Sequence, residues 1–253
     1  MKQDLPAAEP LPVYQLHQVS YAYQSVPALL DVSLSIAAGQ RIALLGANGS
    51  GKSTLLRLLD GLLFADTGTV SAFGQPLDQA ALQHDEAAYA FRRRVGLVFQ
   101  NADVQLFNPT VFDELAFGPL QLGWDKTHVT LAIETLLAQF GIEHLRHRSP
   151  HRLSGGEKKR VALASVLIID PEVLLLDEPC SGLDPASQGN MVEFLRLSRG
   201  RTLITATHDL AIVPEIADYC LVMRQGRLVA QGSSQVILAN QELLQQCDLT
   251  WLH

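Results

Sequence analysis

A loop dense in glycine occupies residues 46–54, with the sequence Gly-Ala-Asn-Gly-Ser-Gly-Lys-Ser-Thr. It fits the pattern G-x-x-x-x-G-K-[ST] in full. Glycine lets the backbone curl until consecutive N–H groups point at one anion, and the helix that follows turns its positive end to the same anion. An apolar strand is predicted over Arg41–Leu45 and a helix over Ser53–Asp60. The segment, called the P-loop below, therefore predicts a phosphate-binding α/β fold.

The P-loop pattern also predicts roles for individual side chains. Lys52 is expected to reach the β- and γ-phosphates of a nucleotide, and the Ser53 hydroxyl to ligate Mg²⁺. A glycine-rich turn before an ordinary helix is the alternative, and the strand, loop and helix order disfavours it. The nucleotide-binding residues predicted in this segment are Gly46, Asn48, Gly49, Ser50, Gly51, Lys52, Ser53 and Thr54.

Two acidic residues end a second apolar strand. Val173–Leu176 is an unbroken apolar run, as a strand covered on both faces requires, and Asp177 and Glu178 follow it. Because ligands of open α/β sheets bind at the carboxyl ends of the strands, Asp177 is predicted to hold Mg²⁺ through water. Glu178 is predicted to orient or activate an attacking water. By itself the pair is equally typical of a solvated strand end.

The segment Leu153–Glu157, with the sequence Leu-Ser-Gly-Gly-Glu, predicts the start of a helix. Ser154 and Glu157 have the spacing of a capping box. The cap does not explain Gly155 and Gly156, since each glycine costs about 1 kcal/mol relative to alanine in a helix. Glycines at the positive end of a helix suit a backbone that a phosphate approaches closely.

The P-loop, the Leu153–Glu157 segment and the acidic pair, in this order and spacing, resemble the ATPases of ABC systems over nearly the whole chain. In that family two ATPase domains pack head to tail, and the signature motif of each faces the γ-phosphate held by the other. The resemblance implies that ATP and Mg²⁺ bind between two subunits, in a homodimer or a heterodimer. The signature residues that would contact ATP in trans are Ser154, Gly155, Gly156 and Glu157.

The same resemblance implies roles for four further residues. Gln100 follows the predicted strand Arg94–Phe99 and would contact Mg²⁺ or the attacking water, although a surface amide is the simpler interpretation in isolation. His208 follows the predicted strand Thr202–Ala206 and would hydrogen-bond the γ-phosphate, linking Glu178 to the transition state. Asp184 lies in the family's D-loop and also has the position of a helix cap, with Pro185 at the first helical residue.

Tyr23 matches the family's aromatic residue that stacks on adenine, and Tyr21 is the competing candidate. Tyr21 and Tyr23 are two residues apart, so both point to one face of a regular strand. The register of this strand with its neighbours therefore decides which of the two rings is available for stacking. Stacking on an aromatic face tolerates any purine.

The chain is predicted to form one domain over residues 1–253, an α/β P-loop core with an antiparallel β subdomain and an inserted helical subdomain. The core is expected to span 13–100 and 168–230, the helical insertion 101–167, and a short helical C-terminal extension 231–253. Within the insertion, Thr127 is predicted to cap a helix that ends at Gly141. Gln225 and Gly226 are predicted to form a hairpin turn.

The segments Phe99–Val111 and Asp113–Pro119 resemble ATPases of energy-coupling-factor importers, which take up cobalt, nickel or vitamins. This resemblance implies an integral membrane partner that docks near Gln100 and the helical insertion, and a peripheral location on the cytoplasmic side of a bacterial or archaeal membrane. Residues that could line a groove for a helix of that partner are Leu106, Phe107, Val111 and Phe117.

Composition narrows the alternatives. A formal net charge of −7 disfavours general binding to nucleic acid, and three cysteines without CxxC spacing favour a reducing compartment. No apolar run approaches the roughly 20 residues that cross a bilayer, and no signal peptide is evident, so action at a membrane requires a partner. The alternative function is a soluble ABC ATPase that acts on nucleic acid or protein assemblies. Such proteins usually carry coiled-coil arms, tandem cassettes or zinc motifs, which this sequence does not show.

Overall fold

The computed structural model describes residues 12–198 and 200–249, which form two β-sheets. The smaller sheet is antiparallel, with the strand order β2-β1-β4-β5. Alternating buried and exposed residues along its two long strands explain why one face packs on the core and the other faces water. Its strands are β1 (Pro12–Tyr23), β2 (Val26–Ala37), β4 (Thr67–Ala72) and β5 (Gln75–Pro76).

The larger sheet holds five parallel strands and one antiparallel edge strand. Its order is β10-β9-β3-β8-β7-β6, with β10 antiparallel to β9. The interior strands are buried along nearly their whole length, as strands covered on both faces must be. The strands are β3 (Arg41–Leu45), β6 (Val95–Val98), β7 (Val173–Asp177), β8 (Thr202–Thr207), β9 (Tyr219–Arg224) and β10 (Arg227–Ser233).

The helices fall into groups that cover these sheets. Helices α3, α4 and α5 pack on one another around their own apolar cluster, which includes Leu115, Ile133 and Val161. Helix α1 packs between the two sheets, and α6 to α9 cover the opposite face of the larger sheet. The bounds are α1 (Lys52–Leu59), α2 (Asp85–Arg92), α3 (Val111–Gln121), α4 (Lys126–Phe140), α5 (Gly155–Leu167), α6 (Pro185–Leu197), α7 (Val213–Ile216), α8 (Ser234–Ala239) and α9 (Gln241–Gln246).

Within residues 12–198 and 200–249, the search for a helix both long enough and apolar enough to span a bilayer finds none.

Two predicted element boundaries are wrong by more than one residue. Helix α4 is capped by Asp125 instead of Thr127, because the Asp125 carboxylate accepts hydrogen bonds from the backbone N–H groups of Thr127 and His128, at 3.0 Å each. Residues 231–233, assigned to the helical extension, complete β10 by pairing with β9, so the extension starts at Ser234. Its predicted end, residues 250–253, lies outside the described residues.

The predicted P-loop α/β class is confirmed, as are the strands Arg41–Leu45 and Val173–Leu176. Gly141 ends α4 in the left-handed conformation, with φ 62°. The hairpin turn is confirmed too, since both of its central residues have positive φ, 49° at Gln225 and 78° at Gly226.

Candidate active site

Four loops meet at one edge of the larger sheet. Strand β3 pairs with β8 through Leu45 and Thr207, β8 with β7 through Thr205 and Leu176, and β7 with β6 through Leu176 and Val98. All four strands run in the same direction, so the residues that follow them emerge side by side. These residues are the P-loop after β3, Asp177 and Glu178 at the end of β7, His208 after β8, and Gln100 after β6.

The P-loop is packed so tightly that two of its glycines cannot be replaced without movement. A Cβ atom on Gly46 would lie 2.4 Å from Ser50 Oγ and 2.5 Å from the Met223 carbonyl oxygen. On Gly51, which has a φ of 106°, it would lie 2.7 Å from the Ala28 carbonyl oxygen. The loop is therefore shaped by strands β2 and β9 as well as by its own sequence.

Lys52 lies inside this loop and close to the acidic pair. Its ammonium donates hydrogen bonds to the carbonyl oxygens of Gly46 at 2.6 Å and Ala47 at 3.2 Å, and lies 3.7 Å from Glu178 Oε1. Burial lowers the pKa of Lys52, and Glu178 and Asp177 raise it in part. The lysine is thus a buried cation held by backbone oxygens at the mouth of the loop, where an anionic phosphate would lie.

Glu178 connects Lys52 to His208. Its Oε1 atom lies 2.8 Å from His208 Nδ1, and the Glu178 residue is only 5% exposed, whereas the imidazole remains partly open to solvent. The backbone of Glu178 is in the left-handed region with φ 48°, which is strained for a residue with a side chain. The structure therefore brings Lys52, Glu178 and His208 together, as the sequence predicts.

Asp177 has the chemistry of a magnesium ligand. Its Oδ1 atom is buried and has no hydrogen-bond partner among the described residues, and the same is true of Ser50 Oγ. Burial raises the pKa of the Asp177 carboxyl, whereas the Ser53 side chain and the Lys52 charge lower it. Carboxylate and hydroxyl oxygens are hard donors, and Mg²⁺ takes one or two of them together with water and phosphate oxygens. Ser53 and Asp177 therefore fit this ion.

No group of three or more histidine, cysteine, aspartate or glutamate side chains in the described ranges is arranged to hold a metal ion.

The Leu153–Glu157 segment begins α5 and completes its own helix cap. Glu157 Oε2 accepts hydrogen bonds from the Ser154 N–H and hydroxyl at 2.8 Å, and Ser154 Oγ accepts one from the Glu157 N–H at 3.4 Å. These bonds to Ser154 lower the pKa of the Glu157 carboxyl. A Cβ atom on Gly155 would meet nothing within 4 Å. The capping box is confirmed, and nothing in this part of the chain requires glycine at 155.

The family model for ABC transporters matches residues 29–181, which is more than half of the chain and covers the P-loop, the Leu153–Glu157 segment and the acidic pair. The chain belongs to the ABC transporter family. It is an ATP-binding ABC ATPase. The predicted family resemblance is thereby confirmed, and Leu153–Glu157 is called the signature segment from here on.

Two curated relatives match almost the whole ABC ATPase. The nickel import ATP-binding protein NikO of Rhodobacter capsulatus is 55% identical over 243 residues, which are 94% of this chain and 96% of that protein. The energy-coupling factor transporter ATP-binding protein EcfA of Methanoculleus marisnigri is 44% identical over 227 residues, covering 88% of this chain and 80% of that one.

Two solved structures share the fold. The structure of cbiO1 from Clostridium perfringens, described as part of the ABC transporter complex cbiONQ, superposes with a TM-score of 0.78 at 34% identity, covering 94% of this chain and 95% of that one. The ATP-binding cassette MJ0796, in a dimeric post-hydrolysis state bound to ADP and Pi, has a TM-score of 0.78 over 87% of this chain and 98% of its own. At 24% sequence identity, this structure supports a shared fold and nothing further.

Two other predicted site residues of the ABC ATPase can be placed. Gln100 is exposed two residues beyond β6, at the same sheet edge as Asp177. Asp184 caps α6, since its carboxylate accepts hydrogen bonds from the N–H groups of Ala186 and Ser187 at 3.1 Å each. That cap is confirmed, whereas a contact of Asp184 across a dimer stays a prediction.

The structure separates the two candidate tyrosines. Tyr21 is half-buried against the core between the sheets, and Tyr23 is 39% exposed, with the two rings 5.0 Å apart and edge to face. The register of β1 against β2 is irregular at this end, with shifts on either side of Tyr21. Arg57, on the helix that follows the P-loop, donates a hydrogen bond to the Tyr23 hydroxyl at 3.4 Å. Tyr23 therefore has the exposed ring that stacking requires.

One residue of the site is not apparent from the sequence. Gly226 donates a backbone hydrogen bond to the Ser50 carbonyl oxygen at 2.9 Å, and its own carbonyl accepts one from Leu30 at 2.8 Å. The β9–β10 turn thus joins the P-loop to the antiparallel sheet. The sequence indicates the turn but carries no signal for its partners, because they lie far away along the chain.

Proposed function

We propose that this ABC ATPase powers a membrane importer for nickel or cobalt ions, and that it hydrolyses ATP at a site shared by two ATPase subunits. The observation that carries the shared site is the open space around Gly155. Gly155 has no neighbour that excludes a side chain, although glycine there weakens the helix. A phosphate approaching from outside the chain explains the choice, since the first N–H groups of a helix have no partner within it.

Lys52, Glu178 and His208 are the groups proposed to act on ATP. The γ-phosphate would take the hydrogen bonds that Lys52 now makes to Gly46 and Ala47. Glu178 would then orient the attacking water and accept its proton, because it lies at the sheet edge next to the loop. His208, held at Nδ1 by Glu178, keeps Nε2 available for a γ-phosphate oxygen. Gln100 and the signature segment complete the proposed set.

Mg²⁺ would be held by Ser53 and Asp177, with Gln100 close to it, and would neutralise charge on the phosphate oxygens. The support is the buried Asp177 oxygen without a hydrogen-bond partner and the adjacent Ser53 side chain.

The proposed docking face for the membrane partner is an exposed aromatic pair near Gln100. Phe107 is 61% exposed and Phe117 44% exposed, and their rings meet edge to face with centroids 5.1 Å apart. The sequence prediction is wrong for Leu106 and Val111, which are buried in the helical cluster and cannot line a groove, and for Phe107 and Phe117 it stays a prediction. Two large exposed aromatic rings in contact are typical of anchors for a partner helix.

The relatives support the proposed cargo. NikO carries nickel import in its name and is 55% identical across nearly both chains, and cbiO1 is described as part of an ABC transporter complex. We therefore favour nickel or cobalt ions over a vitamin. The ATPase would lie on the cytoplasmic side of a bacterial or archaeal membrane, bound through its partner.

The hydrolysis mechanism is tested by Glu178→Gln. The amide cannot take a proton from water, so kcat should fall about 100- to 1,000-fold while ATP binding persists. Gel filtration of the variant should show dimers with ATP and Mg²⁺ and monomers without them. Turnover within twofold of the native rate, or rapid turnover by a strictly monomeric protein, would contradict the proposal.

The importer is tested by uptake of radioactive nickel in cells that lack this gene and express variants of it. Phe117→Asp should abolish uptake and co-purification with membranes, while the isolated protein keeps its ATPase rate. Leu131→Asp is the matched control, since Leu131 is a 64% exposed apolar residue on α4, and it should support normal uptake. Equal uptake by both variants contradicts the docking face, and undiminished uptake without the gene contradicts the import function.

A further inference from the structure

Lys159, on the signature helix α5, makes contacts that the proposed mechanism does not use. Its ammonium donates hydrogen bonds to the carbonyl oxygens of Glu178 at 3.0 Å and Pro179 at 3.2 Å, and to that of Ser181. A lysine has three N–H donors and all three are taken by one short turn of backbone. The residue lies in the turn of helix that directly follows the signature segment.

These contacts fix the backbone of Glu178 from both sides. Its N–H donates to the Ala206 carbonyl oxygen of β8 at 2.9 Å, and its carbonyl accepts from Lys159. A non-glycine residue with φ 48° is strained by about 1–3 kcal/mol and persists only where its surroundings hold it. The Glu178 carbonyl also accepts a hydrogen bond from the Ser181 N–H at 3.2 Å, and Lys159 supplies the support that comes from the helical part of the molecule instead of the sheet.

The lysine is not an ordinary surface ion pair. It is half-buried, burial lowers its pKa, and the nearby Cys180 and Glu178 raise it in part. No carboxylate oxygen within 4.0 Å of its ammonium is found among the described residues. Three backbone oxygens stabilise the charge, so the position of α5 and the position of the 178–181 turn depend on each other.

The neighbouring residue behaves differently. Lys158 pairs with Asp103 at 2.6 Å, on the segment that follows β6, and has no hydrogen bond to the 178–181 turn. Two consecutive lysines of α5 thus hold two separate segments, and only Lys159 reaches the catalytic glutamate.

We propose that Lys159 is a positioning residue for ATP hydrolysis, which couples the placement of the signature segment to the orientation of the Glu178 carboxylate. The inference rests on the proposed role of Glu178 and adds the element that controls it. When a phosphate docks at Ser154 and Gly155, α5 is held, and Lys159 in turn holds the turn that carries Glu178. In this proposal the lysine acts through Glu178 and contacts neither ATP nor the attacking water.

The test compares Lys159→Met with Lys158→Met in the purified full-length protein. Methionine keeps much of the length and removes the donors. Lys159→Met should lower kcat about tenfold or more and leave the KM for ATP within twofold, because positioning acts on the chemical step. Lys158→Met should change neither by more than about twofold. Lys159→Arg, which retains several donors, should recover part of the lost rate.

A second comparison separates positioning from simple structural damage. In a Glu178→Gln background, Lys159→Met should lower the residual rate less than about twofold, since the group that it positions is already gone. An equal loss in both backgrounds, a change confined to KM, or no rescue by arginine overturns the inference. If Glu178→Gln alone leaves hydrolysis intact, the proposed function fails first. If only that variant is inactive and Lys159→Met is normal, this inference alone fails.

Discussion

The P-loop and the signature segment both place glycines before or at the start of a helix, and the structure holds them for different reasons. In the P-loop, the chain itself excludes a side chain, since Cβ atoms on Gly46 and Gly51 would strike backbone oxygens of β9 and β2. In the signature segment, a Cβ atom on Gly155 would meet nothing within 4 Å, and one on Gly156 would lie 2.9 Å from Ser187 Oγ and 3.8 Å from the Leu183 side chain. The packing of the chain itself explains glycine at 46 and 51, whereas it gives no reason for glycine at 155.

The N-terminal caps of α1 and α5, the helices that follow these two glycine-rich segments, also differ. Helix α1 begins after Gly51 without any side-chain cap, so its first N–H groups face the loop. Helix α5 closes its cap with Ser154 and Glu157 and leaves Gly155 and Gly156 at its tip. The cap pairs the N–H groups of Ser154 and Glu157 and gains nothing from glycine at 155, which is why we assign that glycine to a partner's nucleotide.

Gly51→Ala should break the P-loop side of this comparison with the largest effect. The new Cβ atom would lie 2.7 Å from the Ala28 carbonyl oxygen at a φ that disfavours alanine. We expect the free energy of unfolding to fall by about 3–4 kcal/mol and ATP binding to be lost. Urea unfolding and equilibrium binding of a fluorescent ATP analogue measure both quantities. Native-like binding by this variant would show that the packing leaves more room than we describe.

Gly155→Leu should give the opposite pattern. Nothing in the described part of the chain obstructs a side chain at 155, so stability should stay within about 0.5 kcal/mol of the native protein. Hydrolysis and ATP-dependent dimer formation should fall about 30- to 100-fold, because a side chain keeps phosphate from the helix tip. The rate and gel filtration are measured together with binding of ATP to the monomer, which should be unchanged. A fully active Gly155→Leu enzyme is incompatible with the account.

Gly226→Ala sharpens the comparison by testing how far the support of the P-loop extends. Its φ is 78° and the added Cβ atom would lie 2.9 Å from the Ala28 carbonyl oxygen. Movement of the turn would weaken its hydrogen bond to Ser50, so ATP affinity should fall and the free energy of unfolding should drop by about 2 kcal/mol. Gly74→Ala is a suitable control, because Gly74 has a similar φ of 76° but no neighbour within 4 Å. It should cost about 1 kcal/mol without changing ATP affinity.

Helices α1 and α5 also carry carboxyl groups whose pKa values are shifted in opposite directions. Burial raises the pKa of Asp60, at the end of α1, to about 7, and Arg92 lowers it in part, whereas hydrogen bonds lower the pKa of Glu157 on α5. Asp60 favours its protonated form in the folded protein, so stability is lost as pH rises between about 4 and 7. Glu157 contributes stability above its unfolded pKa, and that contribution is lost as pH falls below about 4.

Asp60→Asn should therefore stabilise the protein more at pH 8 than at pH 4. The difference in free energy of unfolding between the variant and the native protein should be about 1–2 kcal/mol larger at pH 8. The effect should grow between these values and then level off, because the asparagine does not ionise. Denaturant unfolding at four pH values measures it. If the difference in free energy of unfolding between the variant and the native protein is the same at all four pH values, the pKa of Asp60 is not raised in the folded protein.

Features set by neighbouring residues were predictable from the sequence, and features set by distant partners were not. The strand before the P-loop, the capping box at Ser154 and the left-handed Gly141 each depend on a few consecutive residues. The contacts of Lys159 and Gly226 depend on how helices and sheets are assembled. The prediction of the α4 cap was wrong for a local reason. Asp125 and Thr127 both have side chains that can cap a helix, and only the direction of the backbone decides which of them does so.

The proposed docking face is a second case in which the sequence did not predict the outcome, because it does not show which apolar residues are buried. Leu106, Phe107, Val111 and Phe117 are all apolar in sequence, and the folded helices bury the first and third while exposing the two aromatic rings. Periodicity predicts that some face inward, but the partner surface follows only from the packing of α3 on α5.

The shared site is tested most directly by joining the two glycine-rich segments chemically. One chain would carry Asn48→Cys and a second chain Ser154→Cys, both with Glu178→Gln, and a short thiol-reactive crosslinker would be added. Asn48 and Ser154 are exposed, and the native Cys180, Cys220 and Cys247 are buried. The account predicts a crosslinked pair of chains that forms with ATP and Mg²⁺ and is absent without them. Dimers that form with ATP but never crosslink at these positions, while a single chain carrying both cysteines crosslinks internally, would contradict it.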